Sequence, residues 1–477
     1  MNDWINGEEH AERARAFLQS GQLDKALSEL KLALAINPHH GEWHFGVGLT
    51  LEAMKRHDEA LAAFQRVVEL RGPDALALTH MGANLIRLGR YEAALTALSR
   101  ASRIEPDFEA ACCYRIQAAA RLGDHDRAEA EFYLARQLQD ECPHCFDYLA
   151  HSLLARGQVD RAIWCWQQTL RLAPEHRDVR THLGLAHWRS GKVDRAGVYF
   201  EQQLNMSPDD LFARLSLGRL QVAVGKFVEA SRTFRSVIER EPAHAEAHFL
   251  MGELAVDCEQ FEEAAAEYEI ASRLDPRLLY VHLRLAQIEL LRGRVDRVRS
   301  LLMMEVDKPD HCVAEAVEMG RLLIEVNLMD EAIALLTRVI TETDLAEEAA
   351  LARQENPAKS LTRVLPATID PHELAEALIC RGFAFLAAGH RDSGVADWRR
   401  AVHLAPANAM TLNNLATAYL SQGRLLRAMA FHRRARGLSA RDPMVRRLGR
   451  RILRARIAHA LRDGLRVLTF LSWLRRR

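Results

Sequence analysis

Cys142 and Cys145 stand three positions apart, with Pro143 and His144 between them. That spacing suits two kinds of chemistry. One is thiol–disulfide exchange, which a helix N-terminus assists by lowering a thiol pKa. The other is half of a zinc site, since paired thiols three apart can share a tetrahedral cation. Each chemistry requires a setting. A redox Cys-x-x-Cys needs a strand before it and a parallel sheet around it, whereas the flanking residues here read as helical hairpins. A metal would need two more ligands, and there is no second Cys-x-x-Cys. Cys112 and Cys113 are adjacent, so they cannot both face one side of a helix. A thiol-redox or metal site at Cys142–Cys145 is therefore a minor alternative, and no metal or cofactor is expected. Pro143 falls three residues from the position where proline recurs elsewhere, so it reads as a slipped exit from the preceding helix.

Other chemistry is sparse. The 21 His are spread along the chain with no His-Glu-x-x-His or His-x-His cluster. No phosphate-binding glycine loop and no Gly-x-Ser-x-Gly occurs. The chain is expected not to be an enzyme. Its 8 Cys form no regular framework and read as reduced thiols. The opening residues carry acids and no apolar core, so no signal peptide is expected. No run of eighteen apolar residues predicts a membrane span. A cytoplasmic location follows, with peripheral attachment at the inner membrane face as the alternative.

The elements that position these residues are set by a period of 34. The phrase Gly-x-x-x-x-Ala begins at Gly21, Gly89, Gly123, Gly157, Gly191 and Gly225. Lys55–Ala60, Glu259–Ala264, Gly293–Val298 and Asn327–Ala332 keep the same phase. After an interruption, Gly389–Gly394 and Gly423–Ala428 resume it. Gly can adopt φ > 0 and so ends one helix in a tight turn, and a small residue five positions on lets the next helix approach closely. A large apolar residue follows: Phe64, Phe132, Trp166, Phe200, Phe234, Tyr268 or Trp398. Pro38, Pro106, Pro174, Pro208, Pro242, Pro276 and Pro406 punctuate the exits. Each unit is a helical hairpin that cannot bury its apolar face alone, so the hairpins must stack. Departures are local: Ile116 replaces a small packing residue, Val298 and Gly394 replace the Ala, and Asp140 stands where Pro is expected.

This pattern resembles the tetratricopeptide repeat family, most fully at Leu183, Gly184, Ala196, Phe200 and Pro208. The resemblance implies an all-α, right-handed superhelix, an α-solenoid of about twelve hairpins with a C-terminal capping and amphipathic helix. It divides the chain into ten repeats over 7–340, an insertion over 341–371 with a helix near Leu345–Arg353, two further repeats over 372–440, and a basic tail over 441–477. The resemblance also implies a non-catalytic scaffold or adaptor whose concave face, lined mainly by the first helix of each hairpin, binds peptide or protein clients. Register then places His80, Arg87, Tyr114, Gln117, Arg121, His151, His182, Arg189 and Arg219 on that face. Further along, it places Glu253, Asp257, Glu318 and Glu325 there, mixed with Arg284 and Arg321. The first half would suit an acidic peptide or a C-terminal carboxylate, with Arg as donor. The Lys, Asn and Arg clamp of chaperone-binding members is absent apart from Asn414, and no catalytic domain of the sugar-transferase kind follows the repeats.

Charge singles out the end of the chain. From Arg424 to Arg477 there are seventeen Arg, no Lys and only Asp442 and Asp463 as acids, a net +15 that the preceding residues balance. Asp442-Pro443 suits a helix start, and Leu448, Ile452, Leu453, Ala455 and Ile457 would lie on the last hairpin. Beyond them, an apolar run containing Phe470 and Trp473 is bracketed by Arg462 and Arg466 and by Arg475 and Arg476. It is too short to span a bilayer and suits a helix lying on an anionic membrane, on the repeats themselves or on a protein partner. Nucleic acid is the weaker alternative, because an apolar block adds nothing to phosphate binding.

Overall fold

The computed structural model describes residues 2–138, 141–309, 311–355 and 370–474, with backbone alone at 2–5, 138, 346–355 and 460–474. All the described regular structure is helical. In chain order the helices are α1 Asn2–Gln19, α2 Leu23–Ile36, α3 Gly41–Ala53, α4 His57–Arg71, α5 Ala75–Arg87, α6 Tyr91–Ile104, α7 Glu109–Leu122, α8 His125–Leu138, α9 Pro143–Ala155, α10 Val159–Leu172, α11 Val179–Arg189, α12 Val193–Met206 and α13 Leu211–Ala223. They continue as α14 Phe227–Arg240, α15 Ala245–Asp257, α16 Phe261–Leu274, α17 Val281–Leu291, α18 Val295–Val306, α19 Val313–Glu325, α20 Met329–Glu355, α21 Pro371–Ala387, α22 Arg391–Leu404, α23 Ala409–Ser421, α24 Leu425–Leu438 and α25 Pro443–Leu474. The order α1–α24 is that of twelve successive hairpins, followed by one long helix: an all-α solenoid.

The repeat phrase maps onto geometry. Gly89 turns between α5 and α6 at φ +74°. Where the phrase lacks Gly, Lys55, Glu259 and Asn327 take φ of 60°, 59° and 66° at the same turn. The period thus dictates a left-handed residue whatever its type, at the steric cost that a Cβ brings there. The small residue five positions on is buried throughout, for example Ala196 and Ala264 at 0% exposure. The large residue after it fills the space between paired helices. Phe200 lies over Gly184, where an added Cβ would sit 2.5 Å from the ring, and Tyr268 lies over Gly252 in the same way.

The chain forms two compact units, dividing after Thr233 within α14. The first has continuous apolar clusters running from α1 to α13, anchored by Trp43, Phe64, Phe146, Trp166 and Phe200. The second is built on one cluster running from α15 to α25. Two features of the second unit answer sequence expectations. The helix expected near Leu345–Arg353 is a continuation of α20 rather than a separate element, and Arg400 of α22 holds Asp344 on it through paired hydrogen bonds. On α25, Asp442 accepts from the Met444 N–H at 2.7 Å, while Val445, Leu448 and Ile452 are buried on the last hairpin. Leu453 and Ile457, expected in the same contact, are instead 54% and 53% exposed. They fall off the buried stripe, which follows the i, i+3, i+7 spacing from Val445.

Candidate functional site

The first helices α5, α7 and α9 place their side chains side by side, one repeat apart. At the α7–α9 end of this row lies a cleft of about 1030 Å³. Gln117 and Arg121 of α7 and Asp147, Tyr148 and His151 of α9 line it, with Arg90, Tyr91 and Glu92 from the turn of the preceding hairpin. Three of the nine expected groove residues, Gln117, Arg121 and His151, therefore share one concavity. First-helix register does not reach the turn residues Arg90, Tyr91 and Glu92, which complete the lining.

His151 is held within an aromatic set. Its ring lies edge-on to Trp166 at 5.3 Å and to His182 at 4.5 Å, and His182 stacks on Trp166 at 5.5 Å. Asp147 accepts from the Trp166 indole N–H at 2.9 Å and lies 3.5 Å from His151 Nε2. Burial lowers the His182 pKa to about 4, with the neighbouring His151 adding to it. Burial also lowers His151, and Arg121 adds to this against the opposing charge of Asp147. Both rings are neutral at neutral pH, so the standing positive charge at this cleft comes from arginine.

The other expected residues lie apart. His80 bonds Glu52 at 2.9 Å and stacks on Phe64 at 5.1 Å, so it belongs to an internal network. Burial would raise the Glu52 carboxyl, but His80, Asn84 and Arg87 together hold it below its usual range. Tyr114 packs half-buried against the core. Arg87, Arg189 and Arg219 are exposed and lie outside the cleft. In the second unit two of the four expected acids are neutralised locally, since Arg284 pairs with Glu253 at 3.1 Å and with Glu318 at 3.2 Å; the expected Arg321 pairs with Glu376. Arg462, Arg466, Phe470 and Trp473 fall on α25, but their side chains lie outside the described residues. Arg475, Arg476 and Asp140 lie outside them altogether.

The opening pair of thiols has company. Cys113 Sγ of α7 lies 3.3 Å from Cys142 Sγ and 3.2 Å from Cys145 Sγ, and all three are buried. Cys112 points elsewhere, to the Pro106 carbonyl at 3.7 Å. Pro143 is not a slipped exit: it is the first residue of α9, with Cys142 in the N-cap position. No strand occurs among the described residues, so the sheet that a redox motif needs is not found there. Hydrogen bonds from Cys113 and then Cys145 lower the Cys142 thiol, whereas Cys113 and Cys145 are themselves pushed up. The sequence held a signal for Cys113. It precedes Cys145 by 32 residues, close to one period, which sets the two on adjacent first helices. Two groups among the described residues could hold a metal, these three cysteines and the trio Asp147, His151 and His182.

A tetratricopeptide repeat model matches residues 12–75, 81–141, 149–210, 249–297 and 381–443. The chain belongs to the tetratricopeptide repeat family. A second tetratricopeptide repeat model matches residues 187–254. No curated protein matches the chain. Among solved structures, this tetratricopeptide repeat protein is similar to the APC/C hetero-tetramer Cut9–Hcn1, with 14% identity over 94% of this chain and 96% of that one, at a TM-score of 0.41. Yeast Tom70 aligns at 13% identity over 98% and 99%, at 0.38. TTC0263 of Thermus thermophilus aligns at 24% over 38% and 98%, at 0.33. The repeats make the chain a scaffold of the protein-interaction kind.

Proposed function

We propose that the first unit binds a client peptide through an acidic segment or a terminal carboxylate, without catalysis, and that the cleft between α7 and α9 is the centre of that contact. The carrying observation is the meeting of Arg121, Gln117 and His151 in one concavity beside Tyr148. Arg121 offers a forked donor to a carboxylate, Gln117 offers an amide to a peptide backbone, and Tyr148 and His151 offer rings against which a side chain can pack. Arg87 and Arg189 recur at whole multiples of the 34-residue period from Arg121 and extend the positive charge along an extended ligand. Glu92 and Asp147 set a limit on the ligand, because a uniformly acidic peptide would meet them unfavourably. The fitting client therefore carries its negative charge locally.

The test is a panel of peptides with acidic or free C-terminal ends, titrated against the full chain and against Arg87→Ala, Arg121→Ala and Arg189→Ala combined. The expected result is a loss of tenfold or more in affinity, since a hydrogen bond to a charged group contributes about 1.5–3 kcal/mol. Unchanged binding in the triple variant would reject the site.

A second reading concerns α25, which continues past its buried turns to Leu474 with Leu453 and Ile457 exposed. No described helix is long and apolar enough to cross a membrane. An Arg-rich helix with an apolar run can still lie in the headgroup region. In this reading the repeats hold a client and the helix recruits the protein to the inner membrane face. Co-sedimentation with anionic liposomes checks it. The full chain is expected to pellet and a chain ending at Ala460 to stay in solution; equal behaviour of the two would discard the membrane reading.

A further inference from the structure

We propose that Cys113, Cys142 and Cys145 are the thiolate ligands of a zinc ion that staples α7 to α9. Three sulfurs from two helices converge to 3.2–3.3 Å about Cys113, and all lie within 4.8 Å of one another. A disulfide needs about 2.05 Å and would leave one thiol over. A tetrahedral zinc with bonds of about 2.3 Å separates its sulfurs by about 3.8 Å, which these side chains reach with a small outward movement.

The repeat itself supplies an independent argument. Cys142 occupies the N-cap position that Asp74, Asp210 and His244 fill in other hairpins, where each side chain accepts the N–H of the residue three on. A neutral thiol is a poor acceptor there. A metal-bound thiolate carries the negative charge that a helix N-terminus favours. Packing explains Cys145 alone, since Ala77, Ala213 and Ala247 fill its position elsewhere; it does not explain why three thiols meet. The same hairpin has Ile116 in place of the usual small residue and Asp140 in place of the usual Pro. The cation would secure the junction where the ordinary repeat signals lapse, and it would fix one end of the two helices that wall the cleft.

Binding is redox-neutral. Three S–H groups ionise, three Zn–S bonds form and three protons pass to solvent. The test uses the full chain, reduced and freed of metal, titrated with Co²⁺ as a spectroscopic stand-in and then with Zn²⁺. One equivalent of Co²⁺ should produce a thiolate-to-cobalt charge-transfer band, which Zn²⁺ then bleaches. Cys113→Ser should lose the band and Cys112→Ser should keep it. Should Cys113→Ser fail to fold, the wild-type spectrum decides alone. A reduced chain that gives no charge-transfer band overturns the proposal, as does a band that survives Cys113→Ser. A Co²⁺ spectrum without thiolate character also overturns it, and would place the ion at Asp147, His151 and His182.

Discussion

Burial sets the protonation of His182, and with it a dependence on pH. Its folded pKa of about 4 lies below the ordinary 6.5. The unfolded chain therefore takes up a proton first as pH falls. The stability that neutral His182 supports is complete above about 6.5 and is lost progressively down to about 4. His182→Gln removes the titrating ring. Between neutral pH and about 4, the wild type is expected to lose more stability than the variant, by an amount on the order of 3 kcal/mol. Thermal melting of both proteins at a series of pH values measures this, and parallel curves would contradict it. At this scale the sequence was only partly legible. Register found His151 and His182, because it places both on the inner faces of neighbouring first helices, 31 residues apart and so one turn off equivalent positions. It did not reveal that Trp166 and Asp147 bind them into one set, since those contacts depend on rotamers. Cys113 was passed over for a similar reason. Adjacency to Cys112 fixes its direction only along its own helix, whereas its partners lie across the hairpin stack.

Single helices are held in register by a few buried polar contacts that no repeat consensus encodes. Glu305, at the end of α18, is fully buried. It accepts from the backbone N–H of Tyr280 and, at 3.3 Å, from that of His282, and it lies 3.1 Å from His282 Nδ1 and 2.7 Å from Lys308 Nζ. Burial would raise its carboxyl, but His282, Lys308 and the Tyr280 N–H outweigh that and lower it. These contacts fix the entry to α17, where Tyr280 adopts φ +69°. Glu305→Ala would strand a buried ammonium and two backbone donors, at a cost of about 3–5 kcal/mol. Urea unfolding of the variant checks this, and a cost below about 1 kcal/mol would mean that the pair is solvated. The elements themselves were readable from the 34-residue period, including the left-handed turns at Lys55, Glu259 and Asn327. The continuation of α20 was not readable, because Leu345–Arg353 carries a helical pattern without any signal for where the preceding helix stops. On α25, Leu453 and Ile457 were assigned to the buried contact because they are apolar, but the helical stripe from Val445 decides burial there.

At the scale of the molecule, charge separates what the period makes alike. The repeats are nearly identical in plan, yet acids and bases are paired within the second unit at Glu253, Arg284 and Glu318, whereas the first unit keeps exposed arginines on the first helices α5, α7, α11 and α13. An interaction scaffold of this design is specific through its side chains rather than its shape. The claim that a carboxylate-bearing client sits between α7 and α9 has a direct test in hydrogen exchange of the full chain, with and without a saturating acidic peptide. Slowed exchange is expected in the second halves of α7 and α9, around Arg121 and His151, and at the turn around Gly89. Protection confined to the second unit or to α25, with none in those segments, would contradict the account.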